Sequence, residues 1–280
     1  MIDLHNHILP GLDDGPQTME ESIRMCRIGF RDGIQTIVAT PHTLDGFYRN
    51  DRETIITKVR DLNDAIKKFG VGSSEFGVQN PDARGSRPNE AIDQITECLN
   101  DPMTELKILP GADVRLCEEL LSRLEEETVM TVGDGGKFLF IEFPSQGIPY
   151  RTEEVLFQLM GRGFIPIITH PERNVEISQR HRRYYEMIRK GCLGQVTAMS
   201  LTGEFGPKVR QVAEKLLKNR LIQFIATDAH SINERPPILS SAVKEAAKIV
   251  GKEEAWKMVT EYPKAILEGK RPQAPEPLPL

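Results

Sequence analysis

Short strand-like runs alternate with longer helical runs along most of this 280-residue chain. The strand candidates are short apolar segments at 2–4, 36–39, 107–110, 138–143, 165–169, 194–196 and 223–227. The helical stretches lie at 18–32, 51–69, 116–127, 152–162, 178–190, 205–219, 236–250 and 253–260. Strands that alternate with helices in this way are typical of a parallel α/β protein. The pattern therefore predicts an α/β fold built on seven strands.

The predicted helices carry ordinary end signals. Thr18 and Glu21 stand at the start of the first helical stretch as a capping box, in which hydroxyl and carboxylate satisfy free backbone N–H groups. Gly33, Gly163 and Gly191 each follow such a stretch, where glycine commonly ends a helix. These signals support the division of the chain into the segments given above.

Two segments stand outside the alternation. Residues 71–90 are rich in Gly, Ser, Asn and Pro, which indicates a surface insertion or a disordered loop, and residues 269–280 form a Pro-rich tail. An α/β barrel commonly takes roughly 200 to 250 residues as one unit. We therefore expect a single domain over residues 1–268.

Charge and hydropathy limit the partners of the chain. The formal net charge is -5, so no overall basic field would attract nucleic acid or an anionic membrane surface. No apolar run approaches the ~20 residues needed to cross a bilayer, and the first residues lack the pattern of a leader peptide. We expect a cytoplasmic protein without a nucleic-acid partner or membrane insertion. The basic stretch at 180–185 is interpreted as a solvated helix face, with a patch for an acidic partner as the alternative.

Histidines and acidic residues collect at the carboxyl ends of the strand candidates. Five of the six histidines lie at or directly after such an end, and the two residue types together occupy six of the seven strands. In chain order the set is His5, His7, Asp14, His42, Asp113, Glu142, His170, Asp228 and His230. Because the carboxyl ends of parallel strands converge on one face of an α/β barrel, we expect one cluster.

The spacing within this set favours a metal centre. His5 and His7 are two residues apart, so strand periodicity points both imidazoles to the same side, as two ligands of one metal require. A plainer interpretation exists for each residue alone, such as a hydrogen-bonded interior position for His42 or a turn or helix cap for Asp228. Burying so many ionisable groups without a cation would be very costly, which favours the metal. Nitrogen and oxygen ligands suit Mn, Fe or Zn, and the carboxylates favour Mn or Fe.

Seven short motifs resemble the PHP superfamily and, more narrowly, the bacterial manganese-dependent protein-tyrosine phosphatases encoded with capsule and exopolysaccharide genes. The motifs are MIDLHNH (1–7), DDGP (13–16), ATPH (39–42), LFIEF (139–143), ITHPER (168–173), ATDAH (226–230) and RPP (235–237). The resemblance runs from residue 1 to about residue 265. It implies a distorted (β/α)7 barrel similar to the TIM barrel.

The resemblance also implies three divalent metal ions, with manganese preferred and iron or zinc as alternatives. His5, His7, Asp228 and Asp113 would hold the first; Asp113, Glu142 and His170 the second; Asp14, His42 and His230 the third. Of the neighbouring Asp13 and Asp14, the resemblance selects Asp14, a choice that the sequence pattern alone does not make. One position departs from the family pattern: the usual Gly-x-Glu segment reads GAD at 111–113. Whether the shorter Asp113 bridges two metals is left open.

Two arginines follow ligand segments and match family positions implicated in substrate binding. Arg173 and Arg235 would grip phosphate oxygens, because the planar guanidinium contacts phosphate through two N–H groups at once. The alternative is that either arginine pairs with a neighbouring carboxylate.

The implied function is metal-dependent hydrolysis of phosphotyrosine on a protein, with a bacterial tyrosine kinase that regulates capsular or exopolysaccharide synthesis as the expected partner. Two alternatives stay open. One is a PHP phosphatase or phosphodiesterase for a small phosphoester such as histidinol phosphate; the other is a metal-binding scaffold without turnover. The native metal, the physiological substrate and the oligomeric state are not determined by the sequence.

Cysteine chemistry offers a competing mechanism. Cys117 and Arg123 have the Cys-x5-Arg spacing of thiol-based phosphatases, but the segment between them is acidic, glycine-free and helical in pattern. It lacks the loop of backbone N–H groups that such chemistry needs. We interpret Cys117 as a structural thiol, and we expect Trp256 in the core.

Overall fold

The computed structural model describes residues 1–70, 103 and 105–279. Nine strands lie within these residues: β1 (Ile2–Asn6), β2 (Thr36–Ala39), β3 (His42–Thr43), β4 (Lys107–Pro110), β5 (Asp113–Arg115), β6 (Phe138–Glu142), β7 (Ile165–Thr169), β8 (Leu193–Thr197) and β9 (Phe224–Ala226). They form a three-stranded sheet in the order β1-β2-β4 and a six-stranded sheet in the order β3-β5-β6-β7-β8-β9. Every pairing between these strands is parallel. The predicted parallel α/β class is confirmed.

The chain passes from the first sheet to the second at two adjacent places. Strand β3 follows β2 after two residues, and β5 follows β4 after two residues. At the second break Gly111 lies so close to β2 that an added Cβ would stand 2.6 Å from Val38 Cγ1, so only glycine fits there. The sequence pattern did not predict β3 and β5, because these short strands, HT and DVR, lack the apolar run by which the other strands were found.

The carboxyl ends of β1 and β9 are also joined by backbone hydrogen bonds. Asp228 N–H donates to the His5 carbonyl at 2.8 Å, and His7 N–H donates to the Ala229 carbonyl at 2.9 Å. The buried Asp3 carboxylate strengthens this junction by accepting from the Thr227 N–H at 2.9 Å. The segment after the last strand therefore lies directly beside the first strand.

Helices connect the strands. They are α1 (Met19–Arg31), α2 (Arg52–Gly70), α3 (Leu120–Glu125), α4 (Thr152–Gly161), α5 (Val175–Gln179), α6 (His181–Arg189), α7 (Ala198–Thr202), α8 (Pro207–Lys218), α9 (Ser240–Val250), α10 (Lys252–Lys257) and α11 (Glu261–Leu267). The Thr18–Glu21 capping box is present at the start of α1. The predicted helix at 178–190 is two helices, because Arg180 has a non-helical φ of -137°. Helices α7 and α11 were not predicted.

Several surface predictions need correction. Tyr184, in the basic stretch taken as a solvated face, is fully buried and donates to the Leu221 carbonyl at 3.0 Å. Arg183 pairs with Glu153 at 2.5 Å rather than pointing into water. The expectation of a core position for Trp256 is wrong, since its side chain lies at the surface with 52% of the residue exposed.

Two further expectations concern the segments outside the alternation. The insertion predicted at 71–90 lies outside the described residues. The tail has neither helix nor strand through residue 279, but it lies against the body: Pro272 is buried, and Leu278 N–H donates to the Asn219 carbonyl at 3.1 Å. Among the described helices, none combines the length and the apolar character that crossing a bilayer requires.

We expect the substitution Gly194→Ala in β8 to lower the free energy of unfolding by about 1 to 3 kcal/mol or more. An added Cβ would overlap the Tyr184 hydroxyl and stand 2.5 Å from the Leu221 carbonyl oxygen, which breaks the hydrogen bond between them. Denaturant unfolding followed by circular dichroism measures the change. Gly161→Ala is the matched control, since nothing lies within 4 Å of its added Cβ. Equal stability of the two variants would contradict the expectation.

Candidate metal centre

All nine residues that the sequence predicts as metal ligands lie together at the carboxyl ends of the strands. Each has a side-chain nitrogen or oxygen no more than 3.7 Å from one belonging to another member. Three groups within the set have ligand atoms close enough to share one ion: His5, His7 and Asp228; His7, Asp14, His42 and His230; and His42, Asp113 and Glu142. The strand-end pattern thus located residues that are neighbours in space.

His5 and His7 are held in the orientation that a metal ligand needs. Their Nε2 atoms face each other at 3.1 Å, and Asp228 Oδ1 lies 3.6 Å from the first and 3.4 Å from the second. Each Nδ1 has a separate partner, Gln195 Oε1 at 3.1 Å for His5 and Asp13 Oδ2 at 2.6 Å for His7. In metal sites, a partner on the second ring nitrogen fixes the tautomer and leaves the first free to bind.

The second group lies at the open side of the cluster. His230 Nε2 is 3.3 Å from Asp14 Oδ1, while its Nδ1–H donates to the Asp228 carbonyl at 2.9 Å. His42 Nε2 is 3.6 Å from the same Asp14 oxygen. Asp14 has 52% of its side chain exposed, whereas His5 is fully buried. The cluster is therefore buried at His5 and open to solvent at Asp14.

The third group surrounds Asp113. Its Oδ1 accepts from the Thr169 hydroxyl at 3.1 Å, so one oxygen, Oδ2, faces the cluster. That oxygen is 3.6 Å from both His5 Nε2 and His170 Nε2 and 3.7 Å from His42 Nδ1. Glu142 Oε1 lies 3.8 Å from the same His170 nitrogen. Histidines from three strands converge on a single carboxylate oxygen.

Unpartnered atoms test whether a cation fits here. Asp113 Oδ2, His42 Nδ1 and Glu142 Oε2 are buried side-chain atoms of the described residues without a hydrogen bond, and they belong to one group. Glu142 Oε2 has an ion-pair contact with Arg115 Nε at 3.2 Å, so Asp113 Oδ2 and His42 Nδ1 are the atoms of this group most in need of a partner. A buried polar atom without a partner costs roughly 1 to 3 kcal/mol or more. A divalent ion would satisfy all three atoms, so the donor set fits a metal.

The protonation states agree with this arrangement. Burial lowers the pKa of His5 to about 3 and that of His170 to about 4, which leaves both imidazoles neutral and able to donate a lone pair. At His7 burial acts in the same direction, but the Asp13 carboxylate overcomes it and raises the pKa to about 10. Burial and repulsion from Asp113 raise the pKa of Glu142 to about 8. Metal binding would therefore displace protons from this cluster.

Both predicted phosphate-binding arginines lie beside the cluster, paired with one of its members. Arg173 Nη2 lies 2.8 Å from Asp228 Oδ2, and Arg235 Nη2 lies 2.6 Å from the same oxygen. Arg235 also donates to the Asp228 carbonyl at 2.8 Å, and its buried Nε lacks a hydrogen-bond partner. Pairing of the arginines with a neighbouring carboxylate, the alternative considered from the sequence, is thus observed. Other guanidinium N–H groups can still donate to a further acceptor.

Two of the cluster positions have unusual backbone conformations. His170 has a φ of 33° and Asp228 a φ of 52°, both in the left-handed region that side chains other than glycine seldom adopt. Such conformations cost on the order of 1 to 3 kcal/mol each and persist where surrounding contacts hold them. Here Glu172, buried next to His170, accepts from Thr197 N–H at 3.0 Å and from the Ser200 hydroxyl at 2.6 Å.

Several side chains that contact the cluster were not predicted from the sequence. Gln195 and Thr197 lie on β8, which corresponds to the one predicted strand segment of the seven without a predicted ligand, and Thr197 Oγ1 is 3.4 Å from Asp228 Oδ2. Their spacing of two residues in an otherwise apolar strand is the signal that could have indicated them. Arg115 was also missed, although its Nε lies 3.2 Å from Glu142 Oε2.

Cys117 lacks the surroundings of a reactive thiol. Burial raises its pKa, and Arg123, the arginine of the Cys-x5-Arg spacing, pairs with Glu126 at 3.3 Å. A raised pKa disfavours the thiolate that nucleophilic attack requires. The geometry agrees with the interpretation of Cys117 as structural.

We expect Asp13→Asn to weaken Mn²⁺ binding by about 10- to 100-fold, because the substitution removes the charge that polarises His7 through Nδ1. Calorimetric titration of metal-depleted protein gives the affinity. Asp51→Asn is the control, since Asp51 caps Thr54 N–H outside the cluster. Wild-type affinity in a correctly folded Asp13→Asn protein would rule out this orienting role.

Comparison with known proteins extends these observations. The sequence model of the family described as "Capsular polysaccharide synthesis, CpsB/CapC" matches residues 1–77 and 73–268. The tyrosine-protein phosphatase YwqE of Bacillus subtilis is 32% identical over 280 residues, which cover 99% of this chain and 96% of that protein. The tyrosine-protein phosphatase CpsB of Streptococcus pneumoniae is 26% identical over 272 residues, covering 95% and 98%.

A solved structure shows the same fold. One crystal structure comes from work on YwqE from B. subtilis and CpsB from S. pneumoniae, which are described as "unique metal-dependent tyrosine phosphatases". It superposes on this chain with a TM-score of 0.83 at 31% sequence identity. The match covers 100% of this chain and 99% of the other. The chain therefore belongs to the CpsB/CapC family of capsular polysaccharide synthesis proteins.

Proposed function

We propose that this protein is a metal-dependent phosphatase that hydrolyses phosphotyrosine on protein substrates. The observation that carries the proposal is the shared position of Asp228, whose Oδ1 faces two histidines of the metal cluster while Oδ2 binds two arginines. The metal cluster would thus lie on one side of the Asp228 carboxylate and the two guanidinium groups on the other. Metal ions and guanidinium groups both bind phosphate oxygens, so this arrangement suits a phosphate ester. The names of the related proteins support the phosphotyrosine assignment.

The proposed ligand set consists of the nine clustered residues and holds three divalent ions, with manganese preferred. When bound, the ions would lower the pKa of a coordinated water and neutralise charge on the phosphoryl oxygens. Carboxylate and imidazole donors without thiolate favour Mn or Fe over Zn. The three groups of closely spaced ligand atoms support the number of ions.

Asp113 is proposed to be a shared ligand of the metal cluster, which it would contact through Oδ2. Because Oδ1 is engaged by Thr169, the contacts to His5, His170 and His42 all fall on Oδ2. The aspartate side chain is shorter than the usual glutamate, but Asp113 Oδ2 still lies within 3.7 Å of all three histidines. The supporting observation is that Oδ2 has no hydrogen-bond partner.

Arg173 and Arg235 are proposed to bind the phosphate oxygens that the metals leave free. Their side chains are 25% and 24% exposed, so both reach the open side of the cluster. Asp228 holds the two guanidinium groups in place before substrate binds, which lowers the entropy cost of positioning them. We assign no general acid, because a phenolate leaving group with a pKa of about 10 needs less protonation than an alkoxide.

We also propose the arrangement of the chain around this site. The hydrogen bonds between the ends of β1 and β9 support a closed, distorted (β/α)7 barrel in which β2 with β3 and β4 with β5 each count as one strand position. Residues 1–268 would form one domain, over which the family match extends. A bacterial tyrosine kinase that regulates capsular or exopolysaccharide synthesis is the proposed substrate protein.

We expect metal-depleted protein to have no phosphatase activity and Mn²⁺ to restore it most strongly among Mn²⁺, Fe²⁺, Zn²⁺ and Mg²⁺. A phosphotyrosine peptide should be hydrolysed in preference to a phosphoserine peptide and to histidinol phosphate. Phosphate release is the measurement. Hydrolysis of histidinol phosphate alone would reject the protein substrate, and activity that survives chelation would reject the metal mechanism. Cys117→Ser should keep full activity.

We expect Arg235→Lys to lower kcat/KM for the phosphotyrosine peptide by about tenfold or more. Lysine keeps the charge but loses the planar pair of donors that matches two phosphate oxygens. Steady-state kinetics with the Mn²⁺-loaded enzyme measures this. Arg210→Lys is the matched control, because Arg210 pairs with Glu214 and Glu245 on the helical surface. Equal kinetics for the two variants would remove Arg235 from the phosphate site.

A further inference from the structure

One aromatic ring covers both arginines of the site. The centroid of the Phe205 ring lies 5.3 Å from Arg173 Cζ and 5.8 Å from Arg235 Cζ. Both distances fall within the range in which an aromatic ring attracts a guanidinium group. Phe205 is half-buried, so part of its ring remains accessible at the open side of the site.

The backbone around Phe205 fixes the position of this ring. Phe205 lies in the short loop between α7 and α8, flanked by Gly203 with a φ of 100° and Gly206 with a φ of 90°. Gly203 N–H and Glu204 N–H both donate to the Met199 carbonyl, at 3.0 and 3.1 Å. Gly206 N–H donates back to the Gly203 carbonyl at 2.9 Å. The loop is a tight hydrogen-bonded turn, and it holds Phe205 over the arginines.

The geometry of a guanidinium group relates this ring to the substrate. Guanidinium binds phosphate oxygens in its own plane, whereas aromatic rings stack on its face. A phosphate held by Arg173 and Arg235 would therefore lie beside the Phe205 ring rather than beneath it. The substituent on the ester oxygen of that phosphate would then lie next to the ring. The other aromatic rings in contact with the described cluster, Phe140 and Tyr48, lie against His5 and His42 instead.

We propose that Phe205 is a specificity-determining residue that contacts the aromatic ring of the substrate. The inference rests on the proposed phosphatase function and deepens it: the arginines recognise the phosphate, and Phe205 recognises the aryl group attached to it. Paired aromatic rings attract each other beyond the burial of their surface. This contact favours aryl phosphates over alkyl phosphates by binding.

The test compares two phosphonates that share a head group and differ in the substituent. Calorimetry on Mn²⁺-loaded protein gives Kd for phenylphosphonate and for methylphosphonate. Wild type should bind the phenyl compound more tightly. In Phe205→Leu and Phe205→Ala the ratio of the two Kd values should fall by about 3- to 10-fold, the range of a lost aromatic pair. Phe157→Leu is the control, because Phe157 is an exposed phenylalanine of α4.

Two outcomes would overturn the inference: no preference for the phenyl compound in wild type, or an unchanged Kd ratio in Phe205→Leu. An unchanged ratio with equal weakening of both compounds would mean that Phe205 only holds the arginines. Thermal unfolding followed by circular dichroism checks that the variants fold, and Phe205→Tyr, which keeps the ring, should keep the wild-type ratio. Phosphonate binding needs no turnover, so this result is separate from failure of wild-type protein to hydrolyse a phosphotyrosine peptide.

Discussion

Asp228 is the buried charge on which the site depends. Its side chain is 2% exposed, and a carboxylate removed from water to that degree persists as an anion only when cations or donors surround it. Burial alone would raise the pKa of Asp228, but Arg173, together with the neighbouring histidines and Arg235, holds it well below its usual range. The same residue joins the two functional halves of the site. It ties the histidine cluster to the arginine pair.

The surroundings of the cluster follow from the same requirement. Three buried imidazoles have Nδ1 engaged by a fixed partner and Nε2 directed toward the cluster: Gln195 is the partner for His5, Asp13 for His7 and the Asp228 carbonyl for His230. Partners of this kind orient metal ligands before the metal arrives. Asp113 Oδ2, by contrast, is buried without a hydrogen-bond partner, which is consistent with the metal contact proposed for it. The pattern of satisfied and unsatisfied atoms is therefore informative about function.

Much of the fold and of the site could be predicted from sequence, for identifiable reasons. Seven strands were found because their apolar runs are bounded by helical stretches, and the nine ligand candidates because parallel strands place their carboxyl ends together. The same local reasoning misplaced Trp256 and Tyr184, since which face of a helix is covered depends on the tertiary neighbours of that helix. It also missed β3 and β5, whose strand conformation depends on pairing with other strands rather than on their own residues.

The sequence by itself determined the parallel α/β class and indicated most of the clustered ionisable residues, because periodicity and strand-end position are local properties of the chain. It did not distinguish Asp14 from Asp13, and it did not indicate Arg115. Only the tertiary structure decided how those residues pair. In it, three histidines lie close to one oxygen of Asp113, and Arg173 and Arg235 both pair with Asp228. It also placed Phe205 over both arginines, from a segment 32 residues after the first and 30 before the second. Electrostatic and stacking interactions act over a few ångströms in space, and sequence separation carries no information about such distances.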